Sequence, residues 1–172
     1  MQFLILGLLM LAPMSLYDLH KQFQAGPSLF YSASFGSLQR ALRQLVESGL
    51  VIAEDDPDTA RRRKVHSVTA EGLSAWRSWM REPLSGANAD TAMLAKVYLL
   101  GLLPAGSERD EALAVLRASA EAALRELQDL ARGLDAQRIP EQYAEVFRYQ
   151  RATLDYGLRS NELVLTWLRE LG

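Results

Sequence analysis

The segment SFGSLQRALRQLVESGLVIAEDDPDTARRRKVHSVT, Ser34 to Thr69, decides the fold. Its first third repeats apolar residues at Leu38, Ala41 or Leu42, Leu45 and Val46, a spacing near the helical period of about 3.6 that predicts a helix with one buried face. Ser37, Arg40, Arg43 and Gln44 then fall on the other faces. Gly49 follows as the expected left-handed stop of that helix. Leu50 to Ala53 is a short, apolar, partly β-branched run suited to a strand. The chain reverses at Asp56, Pro57 and Asp58, then returns through Arg61, Arg62, Arg63 and Lys64 into a second strand, Val65 to Val68. A basic cluster thus gathers at the tip of a hairpin, well placed to meet phosphate.

The residues before this segment supply two more helices. Phe3 to Leu11 is almost wholly apolar and is broken at Pro13. It lacks a basic flank and is well short of the about 20 residues of a membrane span, so it reads as a buried first helix. Ser15 is a capping residue for a second helix that carries Leu16, Tyr17, Leu19, His20 and Phe23, and Gly26 with Pro27 ends it. Three helices, a strand, a charged turn and a strand are the order of a winged helix-turn-helix, in which the third helix reads the major groove. Taken singly, a helix with Arg and Gln outside is a solvated surface helix and a basic tetrad is a solvated loop. The order and spacing of the pieces carry the specific reading. The residues expected at a DNA surface are Tyr17, Ser34, Ser37, Gln39, Arg40, Arg43, Arg61, Arg62, Arg63 and Lys64.

The strings LILGLL (4–9), PMSLYDL (13–19), SFGSL (34–38), LVESGLV (45–51) and RKVHSVTAEG (63–72) together resemble the PadR family of transcriptional regulators. The resemblance covers essentially the whole N-terminal half. It implies a winged helix-turn-helix that binds a pseudo-palindromic operator, a homodimer held by C-terminal helices, and a repressor whose DNA binding responds to a small planar ligand. Three departures stand out: Leu16 in place of the family's Gly, PheGlySerLeuGlnArg over 35–40 in place of TyrGlySerIleTyrPro, and His66 where Tyr is frequent. Gln and Arg make bidentate contacts to adenine and guanine, so Gln39 and Arg40 alter which operator is read rather than abolish reading.

The expected organisation is mainly α: a winged helix-turn-helix domain with a two-stranded β-wing over residues 1–82, a linker over 83–89, and an all-helical dimerisation domain over 90–172. Thr69 is the expected cap of a helix reaching about Glu82, with Leu73, Trp76, Trp79 and Met80 along it. Trp76 and Trp79 either pack in the junction between the halves or, as the family resemblance implies, stack a planar ligand; Tyr98 is expected near them. Residues 91–103 form a further apolar helix with Met93, Leu94, Val97 and Tyr98. Leu113, Leu116, Ala120, Ala123, Leu127, Leu130 and Leu134 alternate steps of three and four, the seam of a coiled coil. Its partner is the last helix, with Tyr143, Phe147, Leu154, Leu158, Leu165 and Leu168, reached through the turn at Pro140, or the same elements of a second subunit. Met93, Leu94, Val97, Leu154, Leu158, Leu165 and Leu168 are the expected dimer contacts.

Composition narrows the function classes. Of 172 residues 49% are hydrophobic, enough for a core and a buried oligomer surface. Residues 1–82 hold nine basic and eight acidic side chains, and 83–172 hold ten and thirteen. Such a balance does not suit a nonspecific polyanion binder, whereas a sequence-specific dimer needs only a local patch. Cysteine is absent, and with no signal segment a cytoplasmic protein with no membrane partner is expected. The two histidines, His20 and His66, lie in no nucleophile, metal or phosphate-loop motif, so no enzyme, metal or cofactor is expected. The competing reading is a helical protein-interaction module that keeps the winged-helix fold without binding DNA.

Overall fold

Helix α1 (Gln2–Leu11) carries an unbroken run of buried residues from Leu4 to Leu9, so it has no side left for water. In the computed structural model, which describes residues 1–55 and 63–172, five elements pack on it: α2 (Leu16–Ala25), α3 (Phe35–Glu47), β2 (Lys64–Val68), α4 (Ala70–Arg81) and α5 (Ala89–Leu99). Strand β1 (Val51–Asp55) pairs antiparallel with β2, with Val51 opposite Val68, Ala53 opposite His66 and Asp55 opposite Lys64. Three helices followed by this two-stranded wing make a winged helix-turn-helix in a mainly helical chain.

Local signals start and stop each element. Ser15 and Asp18 form a reciprocal capping box at α2: Ser15 Oγ accepts from Asp18 N at 3.3 Å, and Ser15 N donates to Asp18 Oδ2 at 3.4 Å. Ser34 Oγ accepts from Ser37 N at 3.2 Å at the start of α3. Each such cap is worth about 1 kcal/mol. Gly49 ends α3 at φ +72°, a conformation that costs glycine nothing, and the amide of Leu50 closes back on Leu45 O at 2.9 Å. The expected buried face of α3 holds at Leu38, Ala41, Leu42 and Leu45, while Val46 is half-buried.

The chain forms two compact units, and the boundary falls elsewhere than expected. Residues 1–82 are joined in the first unit by Gly86–Arg109, and the second consists of Pro83–Ser85 with Asp110–Gly172. Helix α5 therefore goes with the winged helix rather than with the C-terminal helices. The physical reason is its two attachments: it packs on α1, and the amine of buried Lys96 donates to the Glu82 carbonyl at the C-cap of α4.

In the second unit α6 (Ser107–Asp135) and α7 (Ala144–Glu170) run antiparallel, the intramolecular pairing foreseen as one alternative. Arg117 Nε and Nη2 donate to Leu168 O at 3.1 and 3.0 Å near one end. Arg151 grips Asp135 through two bonds of 2.8 and 3.1 Å near the other. The seam of α6 departs from the strict heptad. Leu113, Leu116 and Ala120 are buried, but Ala123 is exposed, Leu130 is 52% exposed and Ala131 is buried in its stead. A straight helix drifts about 20° per heptad, and over this length the buried line moves on by one residue.

Thr69 joins the wing to α4. Its hydroxyl donates to Gly49 O at 2.8 Å and accepts from Gly72 N at 3.0 Å. A Cβ on Gly72 would stand 2.1 Å from Leu50 O and 2.9 Å from Val68 Cγ2. Backbone cannot retreat as a flexible side chain can, so Gly72→Ala is expected to destabilise the protein by about 1–3 kcal/mol. Thermal unfolding checks this, and an unchanged Tm refutes the close packing of α4 against the end of α3.

Candidate nucleic-acid interface

The outward face of α3 is built by the burial of its inner one. With Leu38, Ala41, Leu42 and Leu45 inside, the 3.6-residue period turns Gly36, Gln39, Arg40 and Arg43 outward, and all four are exposed. Outside its own helix backbone and chain neighbours, no described atom lies within 4 Å of where a Cβ on Gly36 would stand, and its φ is not in the left-handed range. Among the described residues nothing therefore requires glycine at this helical position. Gln44, on the same helix, accepts from Gln2 Nε2 at 3.1 Å, which fastens the start of α1 to it.

A groove of about 760 Å³ separates α3 from the wing, with Tyr17, Phe35, Gln39, Arg43 and Lys64 among its walls. Phe35 is held edge-on against His20 with ring centroids 5.3 Å apart, and Tyr17 is 69% exposed. Ser34 and Ser37 are engaged with each other, since Ser37 Oγ also donates to Ser34 O at 2.8 Å. They build the first turn of α3 rather than project from it. Arg61, Arg62 and the expected turn at Asp56, Pro57 and Asp58 lie outside the described residues.

The wing is fixed to α2 by contacts that sequence reading did not foresee. Met14 pairs with His66 on the free edge of β2, with Met14 N to His66 O at 3.1 Å and His66 N to Met14 O at 2.8 Å. The imidazole Nδ1 lies 3.3 Å from Met14 O, and burial pushes the His66 pKa down. Arg63 donates to Asp18 Oδ2 and, at 3.0 Å, to Ser15 Oγ. Asp18 is held below the usual carboxylate range, first by its bond from Ser15 and then by Arg63. Arg63 is therefore bound to α2, unlike the free phosphate contact expected of it. The only sequence signal was that Asp18 sits where a capping box needs an acid.

The three expected ligand residues separate. Trp76 is fully buried, so it presents no face to a ligand: it stands on the core side of α4 with Met80. Tyr98 packs on Phe30 with centroids 5.8 Å apart, its hydroxyl close to Gly26. Trp79 alone lines a cleft, a space of about 360 Å³ shared with Phe3, Phe30, Tyr31 and Thr91. Phe3 stacks parallel on Trp79 at 5.0 Å, and the Lys96 amine stands 5.3 Å from the Trp79 ring centre. Burial pushes the Lys96 pKa down to about 8. Phe3 and Lys96 were missed because each reads from sequence as a plain core or surface position.

The expected dimer contacts also divide. Met93, Leu165 and Leu168 are buried within one chain, so they are corrected to core residues. Leu94, Val97, Leu154 and Leu158 are half-buried. The exposed apolar residues of α7 are instead Val146, Tyr149, Tyr156 and Leu163. Among the described residues no cluster of His, Asp or Glu could hold a metal, and no helix is long and apolar enough to cross a membrane.

No protein-family model and no curated protein sequence matches the chain. Among solved structures it is similar to Bacillus subtilis PadR in complex with operator DNA, at 20% identity and a TM-score of 0.46, over 99% of this chain and 94% of that one. It is similar to smu.1604c from Streptococcus mutans UA159, at 19% identity and a TM-score of 0.46, over 98% and 96%. A further similar structure is the Vibrio cholerae virulence activator AphA, at 24% identity and a TM-score of 0.42, over 98% of this chain and 94% of that one.

Proposed function

We propose that this protein is a homodimeric, sequence-specific DNA-binding regulator of transcription, a repressor whose grip on its operator is modulated by a small planar ligand. The observation that carries the reading is the outward face of α3, where Gln39, Arg40 and Arg43 are exposed beside the wing on a helix whose other side is core. Arg and Gln are the side chains that read guanine and adenine bidentately in the major groove. The test is selection of bound sites from a random duplex pool, followed by anisotropy titration of the enriched duplex at several salt concentrations. A palindromic consensus is expected. Gln39→Ala or Arg40→Ala is expected to cost about 1–3 kcal/mol of binding and to relax preference at one position of each half-site. If these variants bind as the parent does, the fold serves protein contacts instead.

Gly36 supports the same reading. Glycine is disfavoured in a helix relative to alanine, and no contact among the described residues explains it here. The close approach of a DNA backbone or base edge to α3 supplies the reason. Gly36→Ala is expected to raise Tm and to weaken operator binding, opposite signs from one methyl group. Equal or tighter binding by the variant would remove this support.

The homodimer rests on α7. Tyr149, Tyr156 and Leu163 recur every seven residues and are 62%, 74% and 70% exposed, the spacing of a seam that meets a second helix. A second copy of the chain covers this stripe in our reading, and two-fold symmetry sets two reading helices about 34 Å apart, one turn of duplex. Tyr156→Asp with Leu163→Asp is expected to yield a folded monomer in sedimentation equilibrium. A double variant that remains dimeric would place the interface elsewhere.

The ligand step is assigned to the cleft lined by Phe3 and Trp79. Parallel aromatic rings with a cation beside them suit a flat, electron-rich or acidic molecule.

A further inference from the structure

We propose that Arg63 is a positioning residue of the wing rather than a phosphate contact, and that its bridge to Asp18 and Ser15 fixes the angle at which β1 and β2 stand beside α3. The inference rests on the DNA-reading function above and refines it.

A single oxygen, Asp18 Oδ2, receives three donors: Ser15 N at 3.4 Å, Ser15 Oγ at 2.8 Å and Arg63 Nη2. Ser15 Oγ in turn accepts from Asp18 N at 3.3 Å and from Arg63 Nη2 at 3.0 Å. The guanidinium therefore lies on both members of the capping box that starts α2. On the same side, Met14 and His66 exchange two backbone bonds. The base of the wing is held as well by the packing of β2 on α1 and by Thr69 on Gly49 O. Arg63, three residues nearer the tip than His66, adds a side-chain attachment toward the far end of β2.

Charge argues in the same direction. The side chains of Arg63 and Asp18 are 42% and 41% exposed, so the pair lies at the surface, where such bridges contribute little stability. Its effect is on geometry. A swing of Arg63 toward a phosphate would leave the Asp18 carboxylate, next in sequence to Tyr17 of the groove wall, without its cation, and a bare carboxylate repels phosphate. With Arg63 in place, that carboxylate is neutralised, and Lys64, exposed at the start of β2, is the described wing cation free of this duty.

The experiment uses the full chain with Arg63→Gln, Arg63→Lys, Asp18→Asn and the combined Asp18→Asn/Arg63→Gln variant. Two readouts are taken: hydrogen exchange at the Met14 and His66 amides without DNA, and anisotropy with the selected duplex across a salt series. Arg63→Gln and Asp18→Asn are each expected to speed exchange at both amides and to weaken binding several-fold with an unchanged salt slope. The combined variant should be no weaker than the weaker single one, because both remove one joint, and Arg63→Lys should recover part of the loss. Tighter binding by Asp18→Asn, with a salt slope lower by about one for Arg63→Gln, would identify Arg63 as a phosphate contact restrained by Asp18 and overturn the proposal. Should the parent protein enrich no duplex, the DNA-reading function fails and the exchange arm decides alone. Unaltered protection in both single variants would then overturn the joint.

Discussion

Burial of α1 is the constraint on which the first unit depends. Leu4, Ile5, Leu6, Leu8 and Leu9 are each at most 3% exposed. At about 1.5–3 kcal/mol for each buried side chain, the helix brings of order 10 kcal/mol of apolar transfer, comparable with the whole net stability of a typical domain. A helix apolar on every side cannot be satisfied by one neighbour. It needs a surround, and α2, α3, α4, α5 and β2 supply it. Helix α3 is therefore held from behind, with its apolar face committed to the core and Gln39, Arg40 and Arg43 exposed on the other. Precision at that outer face follows from rigidity at the inner one.

Among the described residues the charges on this side are mixed in sign. Arg40 and Arg43 stand on α3, Lys64 opens β2, and Glu47, Glu54 and Asp55 are exposed nearby. Nonspecific affinity grows with the number of phosphates neutralised, whereas discrimination depends on a few well-placed base contacts. Nine basic and eight acidic side chains over residues 1–82 make a nearly balanced head, less suited to the first task than to the second. In the proposed reading, doubling the head by two-fold symmetry adds the affinity that one balanced head lacks.

What the sequence makes legible is what the chain settles within a few residues. The caps Ser15 and Thr69, the stop at Gly49, and the wing strands are all local chemistry, read from capping residue types or from one backbone conformation, whereas Ser34, which caps α3, reads from sequence only as a DNA-surface residue. Joints between distant residues are not legible in that way. Asp18 and Arg63 are 45 residues apart and Met14 and His66 are 52 apart, so no periodicity links them. Trp76 and Trp79 share a helix at a spacing of three, about 300° apart around its axis, and that rotation of 60° places one in the core and the other at a cleft. Likewise the heptad on α6 was correct for its first half and lost register only through accumulated drift. The placement of α5 was missed for another reason: its tie to α4 runs through Lys96, a residue type that sequence reading assigns to the surface.

Lys96 also bears on how the cleft and the reading head communicate. Helix α4 is twelve residues long, so it spans about 18 Å. At its first turn Thr69 is bonded to Gly49 O, the stop of the reading helix, and at its last turn the Glu82 carbonyl accepts from Lys96 beside the Trp79 ring. One rigid element thus begins at α3 and ends at the cleft. In the proposed ligand step, a molecule inserted against Trp79 would compete with the Lys96 amine for the ring face. That competition would act on the tie between α4 and α5 without touching the outward face of α3. By linkage, a ligand shifts operator binding only by the difference in its affinity for two arrangements of that tie. The relevant energies are those of one aromatic contact and one charge-assisted hydrogen bond, about 1–3 kcal/mol, which is the usual size of coupling between two sites.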